Sequence, residues 1–414
     1  MKISMVMSVF GEHAVGGAER SAEKTALALA GEGHEVSLVS LCGSGRPGSA
    51  SCLSNGLRHI TVPLAQVYDP YGMSGQKAVA TGQRPGLHKM VWHVADIYNP
   101  VMGSRLFDLW RAERPDLVMT HTLQGFSTAA WHAARRSGAA MVHVLHDHAL
   151  ICPGTAMTRG AQVCQKACAS CGSFNVARRS ISCKPDALVA PSLAVLERHR
   201  QAGWFHDVAD QRVIGNCLTP GWPSVTRHRA PPLGSRWCFG FLGRLDESKG
   251  VDTLLEAARL LPDDACHFHL AGPGDPSMAR AFIEQHGLTS RVTLEGPVDA
   301  ARFMAGIDVL VAPSRALETF CNVVMEAACL GIPAIVSDRG ALPERVAYGA
   351  GGWIIPAGDA NALSHALRLC MADPAQAAAR GLAAFKTRVE YEPAKQGIAW
   401  SSVCEAALSR HHGP

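Results

Sequence analysis

Long hydrophobic runs are absent from the sequence, and charged residues are scarce. No apolar run approaches the roughly 18 to 20 residues needed to cross a bilayer. Only 18% of the 414 residues are charged and 47% are hydrophobic, which excludes a disordered or fibrous chain. The 40 glycines and 24 prolines follow no period, so a collagen-like repeat is excluded as well. Residues 1–13 lack the basic region and the cleavage site of a signal peptide, and we expect a soluble, cytoplasmic protein.

The excess of positive charge is small and uneven. The formal net charge is +4. Residues 1–217 carry 21 Lys and Arg against 15 Asp and Glu, whereas the remaining residues carry 18 against 20. The basic first half predicts a surface for anionic lipid or phosphate, which makes the inner face of the plasma membrane a candidate location. Nucleic acid is not expected as a partner, since the basic excess is weak and no reading module is recognisable.

Short apolar segments alternate with helical patterns along both halves of the chain. The apolar segments show no polar alternation, which is typical of parallel strands buried on both faces. We predict strands at Ile3–Phe10, Val36–Leu41, Asp116–Thr120, Ala140–Leu145, Asp186–Pro191, Trp237–Gly243, His267–Ala271, Val292–Glu295, Asp308–Ala312 and Ala334–Ser337. Helices such as Ala18–Ala30, Val251–Leu261 and Asn322–Leu330 complete βαβ units. The predicted fold class is α/β, with two doubly wound Rossmann-like domains that face each other across a cleft.

A proline-rich segment without periodicity separates the two halves. Asn216–Ser235 contains four prolines and two glycines, which is typical of a linker. We therefore predict one domain at 1–217 and a second at 218–392. Residues 393–414 form a helical tail that stands apart from the second sheet and is expected to cross back to the first domain.

The segment Ala312–Leu342 holds two carboxylates around a predicted buried helix. Apolar residues cover every side of that helix, so Glu326 is buried and needs hydrogen-bond donors, for which sugar or ribose hydroxyls are suitable. Glu318 lies in the preceding loop, and the free N–H groups at Phe320–Val323 (Phe320, Cys321, Asn322 and Val323) are suited to a phosphate. The structural alternative is that Glu318 caps the helix and Glu326 pairs with an arginine.

Two cations follow the first strand of the second half. Arg244 and Lys249 flank a loop that leads into a helix, a position suited to binding a diphosphate and stabilising it as it departs. An ordinary surface arginine and lysine explain the spacing about as well.

Paired glycines lie between the first strand and its helix. Gly16 and Gly17 let the backbone approach a ligand at the helix N-terminus, although a tight turn is an equal alternative. The motif is not GxGxxG and no acidic residue ends the second strand, so a nicotinamide site is poorly supported.

Four cysteines fall within 20 residues. Their spacing is C-x11-C-x3-C-x2-C, and four thiolates can surround a tetrahedral metal ion, by default a structural zinc. An Fe–S site, a disulfide and free thiols are the alternatives. These cysteines are Cys152, Cys164, Cys168 and Cys171.

Two of the 19 histidines are candidates for the site. His121 and His146 lie at or just past the ends of predicted strands and are expected to face the cleft. Asp147 is a candidate to orient the His146 imidazole, or an ordinary surface residue. A further helix, Ser104–Glu113, has one apolar side that suits packing against the sheet better than a membrane.

The ordered set of motifs resembles the retaining GT-B glycosyltransferases of glycosyltransferase family 4, over essentially the whole chain. It consists of Gly16-Gly17-Ala18-Glu19, the Arg244-x4-Lys249 pair, Glu318-x7-Glu326 and the continuation Gly331–Glu344. The cysteine-bearing loop, with Trp92-His93 and Asp96–Pro100 upstream, resembles a subgroup that builds bacterial cell-surface polysaccharides. The resemblance implies that the first domain binds the acceptor and the second binds the nucleotide sugar.

The resemblance also implies a role for each matching residue. In the second domain, Glu318 is expected to contact the donor sugar and Glu326 to contact the ribose. The backbone at Val298 is expected to contact the base. Arg244 and Lys249 bind the diphosphate, Gly17 lies under the phosphates, and His146 lies against the donor sugar. Such enzymes need no divalent metal, and the leaving phosphate accepts the proton of the acceptor in a front-face substitution. Cys321 departs from the family, which usually has glycine there.

The function expected is therefore transfer of a hexose from a nucleoside-diphosphate sugar to a glycan or lipid-linked acceptor. A sugar-nucleotide epimerase of the same fold and a non-catalytic nucleotide-sugar-binding protein are the alternatives. The sequence does not distinguish UDP, GDP and ADP donors, nor does it identify the acceptor.

Overall fold

A computed structural model gives the architecture of the chain. It describes residues 1–11, 16–71, 73, 86–155, 157–159, 162–164, 166–223, 236–262 and 266–413. Part of the predicted linker, 224–235, lies outside the described residues. No helix among the described residues has the length and apolar character of a membrane span.

Strands and helices alternate along most of the chain. The strands are β1 (Lys2–Val6), β2 (Glu35–Cys42), β3 (Ala50–Cys52), β4 (Arg58–Pro63), β5 (Leu117–Thr120), β6 (Ala140–Val144), β7 (Thr158–Arg159), β8 (Gln162–Val163), β9 (Ala187–Ala190), β10 (Gln211–Val213), β11 (Trp237–Leu242), β12 (Cys266–Ala271), β13 (Val292–Gly296), β14 (Val309–Ala312), β15 (Ala334–Ser337) and β16 (Gly352–Ile355). The helices are α1 (Gly17–Gly31), α2 (Gly86–Ala95), α3 (Pro100–Glu113), α4 (Ala129–Ser137), α5 (Ala169–Ile181), α6 (Leu193–Gln201), α7 (Val251–Arg259), α8 (Ser277–Gln285), α9 (Ala300–Met304), α10 (Asn322–Ala328), α11 (Leu342–Arg345), α12 (Ala360–Ala372), α13 (Pro374–Phe385) and α14 (Pro393–His412).

The chain divides into two compact units. The first comprises Met1–Met157, Gln165–Thr219 and Glu392–Pro414, and the second comprises Thr158–Cys164 and Pro220–Tyr391. Each unit is built around its own sheet, as two alternating βα series require.

The sheet of the first unit has the order β10-β9-β6-β5-β1-β2-β4-β3. Its strands are parallel except β3, which runs antiparallel to β4. Every residue of β5, β6 and β9 is buried, as expected for central strands covered by helices on both faces. The polar residues that follow β5 and β6 therefore lie beside each other at one edge.

The sheet of the second unit has the order β13-β12-β11-β14-β15-β16, with parallel pairing throughout. Alternate residues of β14 enter different hydrophobic clusters, Val309 and Val311 in one and Leu310 and Ala312 in the other. Both faces of the strand are thus covered, and β11 and β14 end next to each other at the centre of the sheet.

The C-terminal helix belongs to the first unit. Trp400, Val403, Cys404 and Ala407 of α14 are buried in the core formed by β1, β6 and α1. Gly397 permits the close approach, since a Cβ there would lie 2.8 Å from the Ala28 carbonyl oxygen. The first unit is therefore assembled from the two ends of the chain.

The structure confirms the predicted α/β class with two parallel-sheet units. Each of the ten predicted strands overlaps an observed one, within a few residues at the ends. Two observed strands were not predicted from the sequence: β4, which extends the first sheet, and β16, which lies at the edge of the second. The helix predicted at Ser104–Glu113 is part of α3, and its Leu106 and Trp110 pack inward, where Trp110 Nε1 donates to Ser4 Oγ at 3.0 Å.

Candidate active site

Charged side chains collect at the carboxyl ends of β11 and β14 in the second unit. Arg244 and Lys249 follow β11, and Glu318 follows β14. Because these two strands are parallel neighbours, their following loops meet at one edge of the sheet, where ligands of such folds bind.

Lys249 and Glu318 form a direct ion pair. Lys249 Nζ lies 2.7 Å from Glu318 Oε1, and Ser314 Oγ donates to the same oxygen at 2.8 Å. Burial acts to lower the pKa of Lys249, but the Glu318 carboxylate outweighs it and holds that pKa above its ordinary value. The lysine is thus a fixed positive charge at this edge.

The turn that carries Lys249 is held by its own side chains and by a glycine. Asp246 caps it, accepting from the backbone N–H of Lys249 at 3.1 Å. Gly250 follows with φ +75°, and a Cβ there would collide with the Pro313 carbonyl. Only glycine meets both demands, so the loops after β11 and β14 lie in close contact.

A second glycine supports Glu318. Gly340 has φ +57°, and a Cβ there would collide with the Glu318 backbone. The N–H of Ala341 donates to the Glu318 carbonyl at 2.8 Å. The segment after β15 therefore fixes the backbone from which the Glu318 carboxylate extends.

Cys321 is the residue before α10 and has a left-handed backbone. Its φ is 70° and its ψ is 80°, so the helix begins at Asn322, where the predicted helix Asn322–Leu330 also begins. Burial, followed by the nearby Glu318 carboxylate, raises the pKa of the Cys321 thiol to about 12. The thiol is therefore neutral and packs beside the ion pair.

The other predicted contacts of the second unit differ in accessibility. Phe320 is a packing residue, 2% exposed, with the Arg345 guanidinium 4.2 Å from its ring centre. Glu326 is buried on α10, and no residue between Asn322 and Leu330 is exposed, which agrees with a helix lacking a solvent face. Arg244 is largely exposed, with its Nε 3.5 Å from Asp246. Val298 packs partly against the hydrophobic core.

In the first unit, the structure brings His121 and His146 together. They follow the adjacent parallel strands β5 and β6, and His121 Nδ1 lies 2.8 Å from His146 Nε2. Burial lowers the pKa of His146 to about 4 and that of His121 well below its ordinary value. Both imidazoles are therefore neutral at physiological pH.

The Asp147 carboxylate is bonded to groups other than the His146 imidazole that it was a candidate to orient. Its carboxylate accepts from Gln124 Nε2 at 2.7 Å and from the Ala149 N–H at 2.8 Å. Burial raises the pKa of this carboxyl group. Two further histidines each have a local partner: His143 Nδ1 lies 2.9 Å from Thr120 Oγ1, and His199 Nδ1 lies 2.9 Å from the Val195 carbonyl.

The paired glycines lie at the start of α1. Gly16 is the N-cap with an extended backbone, and Gly17 is the first helical residue. A Cβ at Gly16 would lie 2.7 Å from Glu19 Oε2, so the Glu19 side chain folds back over the helix start. Both glycines are exposed, which leaves their backbone accessible.

None of the four clustered cysteines forms a disulfide, and Cys171 is in contact with Cys152 and Cys168. Cys152 Sγ and Cys171 Sγ are 3.5 Å apart, and Cys168 Sγ lies 3.3 Å from Ser170 Oγ. Within the described residues no group of three or more His, Cys, Asp or Glu side chains has an arrangement that could hold a metal ion. The zinc site at Cys152, Cys164, Cys168 and Cys171 stays a prediction.

Two contacts near these sites escaped the sequence reasoning. Ser314 bonds Glu318, and its place directly after the end of β14 is the signal that could have identified it. Asp96 and Arg178 form a buried ion pair at 3.5 Å, and Asp96 also accepts from the Gly125 N–H at 2.7 Å. Their separation of 82 residues leaves no local signal.

Family comparison covers most of the chain in two parts. Residues 15–221 match the model of Glycosyltransferase Family 4, and residues 237–373 match that of Glycosyl transferases group 1. The first match spans the unit with the histidine pair, and the second spans the unit with the Lys249–Glu318 pair.

Individual proteins resemble the chain at low identity. An uncharacterized 42.6 kDa protein of the cps region of Klebsiella pneumoniae is 26% identical over 344 residues, which cover 83% of this chain and 87% of that protein. The lipopolysaccharide core biosynthesis glycosyltransferase LpsE of Rhizobium meliloti is 30% identical over 192 residues, 45% of this chain and 54% of LpsE. Among solved structures, Anabaena HepE in complex with UDP has a TM-score of 0.71 at 16% identity, with 98% of this chain and 100% of HepE covered.

These matches agree with the order of the motifs and with the two parallel sheets. The chain belongs to glycosyltransferase family 4 and has the GT-B fold of two Rossmann-like units.

Proposed function

We propose that the chain is a retaining glycosyltransferase that moves a hexose from a nucleoside-diphosphate sugar to a glycan or lipid-linked acceptor in cell-surface polysaccharide biosynthesis. The Lys249–Glu318 pair is the observation that carries the proposal, because it places a fixed cation and a carboxylate together at the ends of β11 and β14. The UDP complex of HepE supports a nucleotide-linked donor, and the role of LpsE supports the biosynthetic setting.

The second unit holds the donor. Lys249 and the exposed Arg244 bind the diphosphate, the Glu318 carboxylate binds hydroxyls of the sugar, and Glu326 binds the ribose. A carboxylate accepts two hydroxyl hydrogen bonds well, and cations bind phosphate oxygens strongly. The backbone at Val298 meets the base, and the segment Phe320–Asn322 lies beside the phosphates. In the first unit, the exposed backbone of Gly16 and Gly17 at the start of α1 is suited to a phosphate.

The reaction is a substitution at the anomeric carbon with retention. The bond from that carbon to the phosphate oxygen breaks, and a bond to the acceptor oxygen forms on the same face. The proton of the acceptor hydroxyl passes to the departing phosphate oxygen. Lys249 and Arg244 offset the charge that develops on the diphosphate, which is the electrostatic task a divalent metal performs in other enzymes.

The first test is a thermal-shift panel of UDP, GDP, ADP and their sugars, with EDTA present. A ligand that binds the native state at 100 times its Kd stabilises it by about 2.7 kcal/mol. One base should raise the melting temperature, and Lys249→Ala should reduce that increase, since a charge-assisted contact contributes about 1.5–3 kcal/mol.

The matched control is Lys386→Ala, which removes an exposed lysine of the same unit at the end of α13. It should leave the ligand-induced increase as in the wild type. Comparing increases rather than melting temperatures separates ligand binding from the stability lost when Glu318 loses its partner. An unchanged increase in Lys249→Ala would contradict the donor site.

Product analysis separates the alternatives. A sugar-nucleotide epimerase would yield an isomerised donor or a free sugar without any acceptor. A non-catalytic binding protein would bind the donor but show neither transfer nor hydrolysis, with Glu318→Gln altering only binding. Transfer to an acceptor with the anomeric configuration of the donor preserved is the outcome that the proposal requires.

We also propose peripheral contact with an anionic membrane through α2. Its Leu87, Met90, Val91 and Val94 are 43–64% exposed and recur at helical spacing on one side. They continue toward a shallow cavity of about 450 Å³ lined mainly by small and apolar groups near Tyr98. Lys89 adds a positive charge, and amphipathic helices of this kind lie in the membrane interface.

Vesicle sedimentation tests that contact. The protein should sediment with phosphatidylglycerol vesicles more than with phosphatidylcholine vesicles. The double variant Met90→Ser and Val94→Ser should bind less to vesicles of either composition. Each exposed apolar side chain that inserts contributes on the order of 1–3 kcal/mol. The control replaces Met278 with Ser, since Met278 on α8 of the second unit is 47% exposed, within the range of the α2 side chains. Equal sedimentation of the α2 variant and the wild type would contradict the contact.

A further inference from the structure

His121 and His146 form a closed pair of buried imidazoles. Their rings are stacked, with centres 5.1 Å apart and planes at 22°, and are 3% and 8% exposed as residues. The hydrogen bond of 2.8 Å joins Nδ1 of His121 to Nε2 of His146. A neutral imidazole has one N–H donor and one lone-pair acceptor, so one ring donates and the other accepts.

The remaining nitrogen of His121 decides the direction of the bond. His121 Nε2 is buried and has no hydrogen-bond partner within the described part of the chain. If the proton were on Nε2, a buried N–H would be left unpaired, which native structures avoid more strictly than an unpaired acceptor. This favours a proton on Nδ1, with His121 as the donor to His146.

The tautomer of His146 follows from this direction. Because His146 Nε2 accepts from His121, the single proton of the neutral His146 ring lies on Nδ1. Neighbouring groups do not compete for Nε2: the Asp147 carboxylate is bonded to Gln124 and Ala149, and His143 is bonded to Thr120.

We propose that His121 is a positioning residue that holds His146 as its Nδ1–H tautomer, so that His146 presents a hydrogen-bond donor to a substrate oxygen. The inference rests on the proposed function for the role of His146 in the reaction. It revises the expectation that His121 itself binds substrate. His146 in this tautomer has no free lone pair to remove the acceptor proton, which leaves that proton to the departing phosphate.

The first measurement is the ¹⁵N NMR spectrum of protein labelled at its histidine rings, at pH 7. Signals of His146 are identified by their loss in His146→Gln. We expect a protonated Nδ1 and an unprotonated Nε2. A protonated His146 Nε2 in the wild type would overturn the proposal, whatever the activity.

Two substitutions test the dependence on His121. Asn at position 121 can place an amide N–H near the former Nδ1, so His121→Asn should keep the His146 tautomer and most of the activity. His121→Phe fills the space without a donor, and it should populate the other tautomer and lower kcat about 10-fold to 100-fold, as misplaced catalytic groups do. KM for the donor should change less than kcat.

The outcomes separate this inference from the proposed function. His132→Asn is the control, because His132 is bonded to the Ile181 carbonyl at 2.6 Å on the same unit, away from the pair. If His121→Phe keeps wild-type tautomer and kcat, the positioning role fails while the transferase stands. If the tautomers behave as expected but no transfer occurs in any variant, the pairing stands and the transferase fails.

Discussion

Cys321 holds a side chain in a backbone conformation that favours glycine. Its φ of 70° lies in the left-handed region, where a Cβ approaches the following carbonyl oxygen and costs roughly 1–2 kcal/mol. The thiol packs beside Glu318 and Lys249 in return. The chain therefore keeps a strained backbone at the proposed donor site, with a sulfur atom next to the Lys249–Glu318 pair.

The strain predicts a reversed order of stability for two substitutions. Both Cys321→Gly and Cys321→Ala remove the sulfur, but only glycine relieves the backbone. Cys321→Gly should therefore be more stable than Cys321→Ala by about 1 kcal/mol in denaturant unfolding. The control position is Arg280, which is exposed in the middle of α8. There the backbone is helical, so Arg280→Ala should be more stable than Arg280→Gly by a similar amount. If the alanine variant were the more stable one at position 321 as well, the backbone at Cys321 would not be strained.

Residue types in order along the chain were enough to predict that Lys249, Glu318 and His146 follow the ends of buried strands, where the structure places them. The partners of these residues were not predictable. Whether Lys249 bonds Glu318, or His121 bonds His146, depends on side-chain directions at the ends of adjacent strands. The left-handed Cys321 has no signal in residue type, since cysteine rarely adopts that conformation.

The helix α14 packs into a core whose other residues lie far from it in sequence. Trp400 is 3% exposed among the buried residues of the first unit, and its Nε1 donates to Gln396 at 3.1 Å. Arg410 near the end of the helix pairs with Asp210 at 2.7 Å. The helix is therefore a component of the first sheet's cover rather than an appended tail.

Trp400→Ala should destabilise the first unit by about 3–5 kcal/mol, the usual cost of truncating a buried tryptophan. Hydrogen exchange should accelerate in β1, β6 and α1 and remain as in the wild type in β11 and β14. Ile398→Ala is the control on the same helix, since Ile398 is 63% exposed and should change stability by less than about 0.5 kcal/mol. Equal effects of the two substitutions would show that α14 is not packed as described.

Strands at the centre of each sheet were the most predictable elements, because burial on both faces leaves a continuous apolar segment. Edge strands were not: β10 has no buried residue and β3 is fully exposed, so neither carries an apolar signal. The end of α10 was also misplaced, since the helix ends at Ala328 and not at Leu330. Tertiary contacts, rather than local pattern, set these boundaries.

At the scale of the whole molecule, two parallel sheets form the two units, and alternating strand and helix patterns predict that architecture from sequence. The strand order within each sheet does not follow from those patterns. In the second unit β11 lies between β12 and β14, so its end adjoins a loop about 70 residues further on. That order is what joins Lys249 to Glu318, 69 residues apart.

The split composition of the first unit has a consequence for synthesis of the chain on the ribosome. Residues up to Thr219 leave the ribosome well before α14, which completes their core. At about 5–20 residues per second, the roughly 170 intervening residues take on the order of 10–35 s. During that interval the surface that receives Trp400 is uncovered, while residues 220–391 of the second unit emerge. The core of the first unit is therefore completed only after the second unit has been synthesised.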